Sequence, residues 1–576
     1  MSSPKRLVTL SLLISLACTA VAAAPADEVP ADSGLSGELF YQLLVGEISA
    51  QNGDAASAYS LVLDAARKAN SEQLFERAVT LALGARSGES ALTAAQAWVR
   101  SFPTSEQANR YQLQILIGLN KISETVEPLK RMLAPNKGNA RIAVIGQIPR
   151  YFARATDKKQ ATVAVENALT TELSDATTGP AAWATVGTLR LMASDVEGAA
   201  NAARRGAAFN THSDEVAALA LGLWDAKSPA AQSLLEHYLA RKASPEIRMA
   251  YVRRLLGAQR GSEAYEQTVK ATQESGDYAD AWLVRGSLEF QDKKNDAAQA
   301  SLQKYVALRT ATATDADATD SQPGLTQAYV LLSQIAEQAH KPDEALAFLQ
   351  KIDSTQDTLQ IQVRKAAILA QQGKMDEARA LIRELPEQKA EDARLKISAE
   401  AQLLRDNKLY AQAYAVLAEA AQRFPDDADL KYDQAMVAEK LDKLPEMERL
   451  LREVIAAKPD YQHAYNALGY SLADRNLRLP EARSLIRKAL ELTPNDPFIM
   501  DSLAWVEFRS GNLAEALRVL TEAYTARPDA EIAAHLGEVL WALQRRDDAR
   551  KTWKEGLSLN PDNETLIDTM RRLNKP

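Results

Sequence analysis

Residues 498–528 read FIMDSLAWVEFRSGNLAEALRVLTEAYTARP, and the pattern inside this unit can be followed outward through the chain. Leu503 and Ala504 lie in a first amphipathic segment, Gly511-Asn512 marks a turn, and Ala516, Leu520 and Ala523 recur on a second. That spacing predicts two antiparallel helices. Ala504 and Ala516 are small enough for the two backbones to cross at ~8 Å. Pro528 ends the second helix, because it lacks an N–H and disfavours helical geometry in the residue before it. Asp529 is then placed to cap the next helix by accepting its free N–H groups.

The same joint recurs. Pro425, Pro459, Pro494, Pro528 and Pro561 are spaced by 34, 35, 34 and 33 residues, and Asp426, Asp460, Asp496, Asp529 and Asp562 follow them. A fixed period of this size marks a repeat architecture. Flanking units carry Leu468-Gly469, Ala482, Ile486 and Ala489, and Leu536-Gly537, Ala549, Trp553 and Gly556. Weaker copies appear upstream at Ala401, Ala413, Leu417 and Ala420, at Gly373, Ala378 and Ile382, at Trp282, Gly286 and Ala298, and at Trp183, Gly187 and Ala199. Near the start, Gly46, Gly53, Ala58 and Ala65 keep the spacing. Trp183 and Trp282 occupy core positions of their units. Residues 91–174 and 212–277 stay helical in periodicity but lose the signature.

These residues resemble the tetratricopeptide-repeat family. The resemblance implies an all-α fold, a tetratricopeptide-repeat solenoid in which helical hairpins stack into a right-handed superhelix. Roughly eleven to fourteen units are expected over residues 38–576, clearest at 391–562, with a capping helix from Asn563 to Leu573. The Ala-Thr-Asp-rich segment 310–324, ending in Pro323-Gly324, reads as a loop insertion.

Composition agrees with helices. Apolar residues make up 46% of the 576 but aromatics only 6%, a balance suited to closely packed helices rather than sheets. The net charge of −8 opposes binding to nucleic acid or to anionic headgroups. With 5 His and 1 Cys, cysteine zinc sites, iron–sulfur clusters and disulfides within one chain are excluded. No apolar run reaches the ~18 residues of a membrane span.

The first residues read as an address. Lys5 and Arg6 precede the apolar run Leu7–Ala17, which makes residues 1–17 a secretory signal peptide. Ser15-Leu16-Ala17-Cys18 resembles a lipobox, implying that Cys18 is lipidated, as with palmitate, and becomes the mature N-terminus. Thr19 follows it in place of the Asp used for inner-membrane retention, so the resemblance implies an anchor on the periplasmic face of the outer membrane. Residues 18–37 then form a flexible, lipid-anchored linker. The alternative is cleavage near Ala24, within Ala22-Ala23-Ala24, which would leave a soluble periplasmic protein. Either cleavage removes Lys5 and Arg6, and the balance moves from −8 to −10.

No phosphate loop, HExxH or GxSxG motif is present, so the chain is expected to be no enzyme and to need no cofactor or metal. Ser301 and Lys304 fit S-x-x-K without its companion motifs, and the five histidines are scattered singly. Asp315, Asp317 and Asp320 lack the glycine and distal glutamate of a calcium loop. What a solenoid offers is a long surface for protein partners. Carried over from the family, the exposed groove positions are Asn466, Tyr470, Phe498, Asp501, Trp505, Phe508, Arg509, Glu538 and Trp541; the aromatics Tyr470, Trp505 and Trp541 either face solvent as a docking site or pack against adjacent repeats or the insertion.

The opening Gly37-Glu38-Leu39-Phe40-Tyr41-Gln42-Leu43-Leu44-Val45-Gly46-Glu47-Ile48, together with Tyr465–Tyr470 and Asp501–Trp505, is similar to large proteobacterial tetratricopeptide lipoproteins. The combination of address, length and repeats is similar to the lipoprotein partners of the periplasmic carboxyl-terminal processing protease. The resemblance implies an adaptor that activates this serine protease and brings it substrates such as cell-wall hydrolases. The alternative is an assembly factor of a secretion, polysaccharide-export or peptidoglycan-synthesis machine.

Overall fold

The computed structural model describes residues 36–311, 315–352, 358–387 and 389–573. The signal segment, Cys18 and the linker as far as residue 35 lie outside the described residues. Among those described, the chain forms 31 α-helices and no strand, the all-α architecture of a tetratricopeptide-repeat solenoid. The helices fall into two compact units, Met1–Ser275 and Gly276–Pro576. No helix among the described residues is long and apolar enough to cross a membrane.

In the second unit, the proline ladder works as its chemistry requires. The helices Tyr410–Arg423, Leu444–Ala457, Leu479–Leu492, Leu513–Ala526 and Arg546–Leu559 each stop two residues before a ladder proline. The residue between helix and proline (Phe424, Lys458, Thr493, Arg527 or Asn560) has left the helical region, with ψ between 69° and 99°. This is the geometry a following proline imposes.

The caps follow a slightly different rule from the expected one. Asp496 and Asp529 do cap, Asp496 accepting from the Phe498 and Ile499 amides and Asp529 from that of Glu531. At two other joints the capping residue stands one position later: Asp427 replaces Asp426, and Asn563 replaces Asp562. Tyr461 occupies the corresponding position instead of Asp460 and makes no side-chain cap bond. The reason is length. Four of the five helices that follow begin three residues after the proline, so an aspartate directly after it sits one residue early.

Close crossings inside hairpins depend on glycine. A Cβ on Gly469 would stand 2.6 Å from Ile486 Cγ1, and one on Gly537 would stand 1.9 Å from the indole nitrogen of Trp553. Ala504 and Ala516 are fully buried at the equivalent crossing.

The expected loop at 310–324 is corrected. Helix Asn295–Ala311 includes Thr310, and the backbone is helical again over Asp315–Gln338, carrying Pro323 inside it. Alanine-rich sequence favours helix. Gly324, read as part of a breaker, instead leaves room for the ring of Tyr305, whose hydroxyl a Cβ there would meet at 2.1 Å.

In the first unit the signature is lost where geometry is irregular. The 3-10 turns Ile122–Thr125, Phe152–Arg154 and Glu172–Ser174 interrupt residues 91–174, around a core that includes Ile122, Leu129, Ile145 and Phe152. Farther along, fully buried Arg248 donates to Gln267, Glu274 and the Arg241 carbonyl. A hydrogen-bonded cation there stands among the apolar groups of the core, which apolar periodicity does not record.

Candidate functional site: an inner wall and an apolar helix face

The inner wall is built by helices Gln462–Asp474, Pro497–Arg509 and Ala530–Ala542. Trp505 is only 4% exposed. Its ring stacks on Phe508 at 5.1 Å and on His535 at 4.3 Å, and its indole N–H donates to Asp474 at 3.2 Å. His535 Nδ1 lies 2.9 Å from an Asp501 carboxylate oxygen, and its Nε2 lies 3.4 Å from the Tyr470 hydroxyl. Arg509 donates to the Ala473 and Asp474 carbonyls, and Glu538 pairs with Arg572 of the capping helix Glu564–Leu573.

The open groove is therefore corrected: Asp501 and Glu538 are buried rather than open to solvent, Trp505 takes the alternative of packing against an adjacent repeat, and His535 is a packing histidine paired with Asp501. The physical reason is curvature. Inner helices come close enough for Tyr470 to reach His535 across a whole intervening repeat, so side chains at groove positions pack on one another. Tyr470, Asp501, Trp505, Phe508 and Arg509 converge in this cluster. Phe498, 38% exposed, lies under Arg527 instead, and Trp541 packs between Trp553 and Arg546. Asn466 is half-buried, and its side-chain oxygen has no hydrogen-bond partner.

Charge in the cluster is set by competition. Burial opposes the imidazolium of His535, but Asp501 beside it, with Glu531 and Glu538, outweighs burial and raises its pKa above 6.5. Burial also pushes the Tyr470 phenol up, reinforced by Asp474, Asp501, Glu531 and Glu439. Glu531 keeps exposed surface, yet the wall around it displaces water and raises its carboxyl, against the pull of His535.

The weaker chemical motifs are absorbed by packing. Ser301 is buried and donates to the buried Glu289 at 2.7 Å. Trp183 and Trp282 donate to the carbonyls of Leu173 and Gly276, Trp183 buried and Trp282 half-buried. Among the described residues, no group of three or more His, Cys, Asp or Glu is placed to hold a metal.

A second feature was not anticipated. Helix Gly37–Gln51 carries Phe40, Tyr41, Leu44 and Ile48 at 58, 68, 47 and 47% exposure. Spacings of three and four put all four on one face. The helix is held in that orientation from its other sides. Gly46 fits against Val62, Glu47 makes a two-point bond to Arg77 at 2.8 and 2.6 Å, and Glu38 pairs with Lys68 at 3.0 Å. A contiguous apolar stripe, rimmed by satisfied charges and left uncovered, is the signature of a docking face. The 40–44–48 spacing was visible in the sequence, but periodicity alone reads it as a core face.

Residues 432–497 and 507–572 each match a tetratricopeptide repeat family. The chain is 39% identical over 211 residues to the TPR repeat-containing protein PA4667 of Pseudomonas aeruginosa, covering 37% of this chain and 36% of that protein. The match thus spans little more than a third of the relative's length. Among solved structures, TTC0263, a thermophilic TPR protein of Thermus thermophilus, matches 30% of this chain and 93% of its own at 21% identity and a TM-score of 0.28. MamA from Desulfovibrio magneticus RS-1 matches 29% of this chain and 95% of its own at 15% identity and a TM-score of 0.25. Tetratricopeptide repeats thus occupy at least residues 432–497 and 507–572 of this chain.

Proposed function

We propose that this protein is a non-enzymatic adaptor of the bacterial envelope, tethered through a lipid on Cys18 to the periplasmic face of the outer membrane. It binds a carboxyl-terminal processing serine protease, activates it, and helps deliver substrates such as cell-wall hydrolases. The observation that supports the reading is the uncovered Phe40–Tyr41–Leu44–Ile48 face, which lies in the opening segment that resembles the start of large proteobacterial tetratricopeptide lipoproteins. Apolar and aromatic side chains on a rigid, exposed helix are the groups that dominate protein–protein binding energy. The tether would raise the local concentration of protease and wall-bound clients around the array.

Replacing Phe40, Tyr41, Leu44 and Ile48 together by serine should cut protease recovery from envelope extracts by about tenfold or more, with helix content unchanged. Equal recovery of a carboxyl-terminal processing protease by the variant and the parent would remove this face from the interaction, and recovery of no such protease by the parent would remove the partner. The anchor is tested separately. Radioactive palmitate should label the parent chain and not Cys18→Ala; label on both, or on neither, rejects lipidation at Cys18.

A further inference from the structure

Within the second unit, an ion pair joins residues far apart in sequence. Lys408 lies in the turn between helices Ala390–Asp406 and Tyr410–Arg423, with φ of +58°. Its ammonium stands 2.9 Å from the carboxylate of Glu564, 156 residues later and the first residue of the capping helix. Both side chains are mostly exposed, at 71 and 78%. Lys440, at the end of helix Ala428–Lys440, adds its field to Lys408 in holding the Glu564 carboxyl low, and also acts on Glu531. Cations from two early hairpins therefore face carboxylates from the last ones. Behind this seam, Tyr470 meets His535 across a full repeat, and Trp505 and Asp501 lie buried.

We infer that Lys408 and Glu564 form an ionic clasp that holds the last hairpins of the array in a closed turn, and that its release lets the array unwind there while the buried contacts between adjacent hairpins persist. The energetics suit a latch. A water-exposed ion pair contributes little and is screened by salt, so closure through it is easily reversed. A solenoid whose units touch only their neighbours bends through many small adjustments, so opening needs no helix to unfold. The clasp does not depend on which protein is the partner.

The test uses the full-length chain with Cys18→Ser and spin labels at Asp406→Cys and Asp568→Cys, read by pulsed electron resonance. The parent should give a short, dominant distance at low salt, with a longer population growing in about 0.5 M NaCl. Lys408→Glu or Glu564→Lys should each raise the long population about two- to tenfold at low salt, and the combined swap should restore the parent distribution. Melting curves confirm that all variants remain folded. Unchanged distances in both single reversals would overturn the clasp, as would a swap that fails to restore closure.

Discussion

Replacing Trp553 with alanine should destabilise the last hairpin by about 3–5 kcal/mol, the range for truncating a large buried aromatic. Trp553 is fully buried, donates from its indole nitrogen to the Ala534 carbonyl at 3.3 Å, and packs on Trp541 with ring centres 5.4 Å apart. Gly537 is the residue that lets the indole lie so close, since any Cβ there would overlap it. Because repeats contact mainly their neighbours, the loss should be local. Hydrogen exchange should accelerate across residues 530–573 and stay unchanged across 37–275. Uniform acceleration along the chain, or none in 530–573, would contradict this account. Gly537→Ala should act on the same segment through overpacking, at about 1–3 kcal/mol.

His535→Ala should cost a similar amount, about 3–5 kcal/mol, for an electrostatic reason. It removes the partner of Asp501 and leaves that carboxylate buried, within the field of Glu531. The same pair makes the array sensitive to pH. The folded state holds the His535 proton more tightly than the 6.5 of an unperturbed imidazole. Its stabilising contribution is therefore complete below about 6.5 and fades as pH climbs through the raised folded value. The melting temperature of the C-terminal hairpins should fall over that interval, and His535→Gln should flatten the fall. A parent melting temperature that rises there, or a His535→Gln profile parallel to the parent, would mean that the proton is not held by this pair.

The two sites were legible to different degrees. Tyr470, Asp501, Trp505, Phe508 and Arg509 were named from their places in the repeat, and they do converge. Repeat position left the exposure of the aromatics open, because it fixes which way a side chain points, not how near the next inner helix comes. His535 was passed over because its partner, Asp501, lies 34 residues away. No local motif encodes such a pair. The face on helix Gly37–Gln51 was written plainly in its spacing, but an apolar stripe looks the same whether a neighbour covers it or not.

Local chemistry was therefore settled by sequence at the joints: each proline of the ladder, one every 33 to 35 residues, stops the helix before it, and glycine or alanine at crossings permits hairpins. These effects act over a few residues, so the chain alone determined helices, joints and the repeat. Burial of Trp505, the Asp501–His535 pair, the reach of Lys408 to Glu564 and the bareness of Phe40 and Tyr41 belong to the tertiary structure. The reach of Lys408 to Glu564 depends on the small rotation from one hairpin to the next, accumulated over several repeats, and the others on which neighbouring helix comes close, neither of which a single stretch of residues carries.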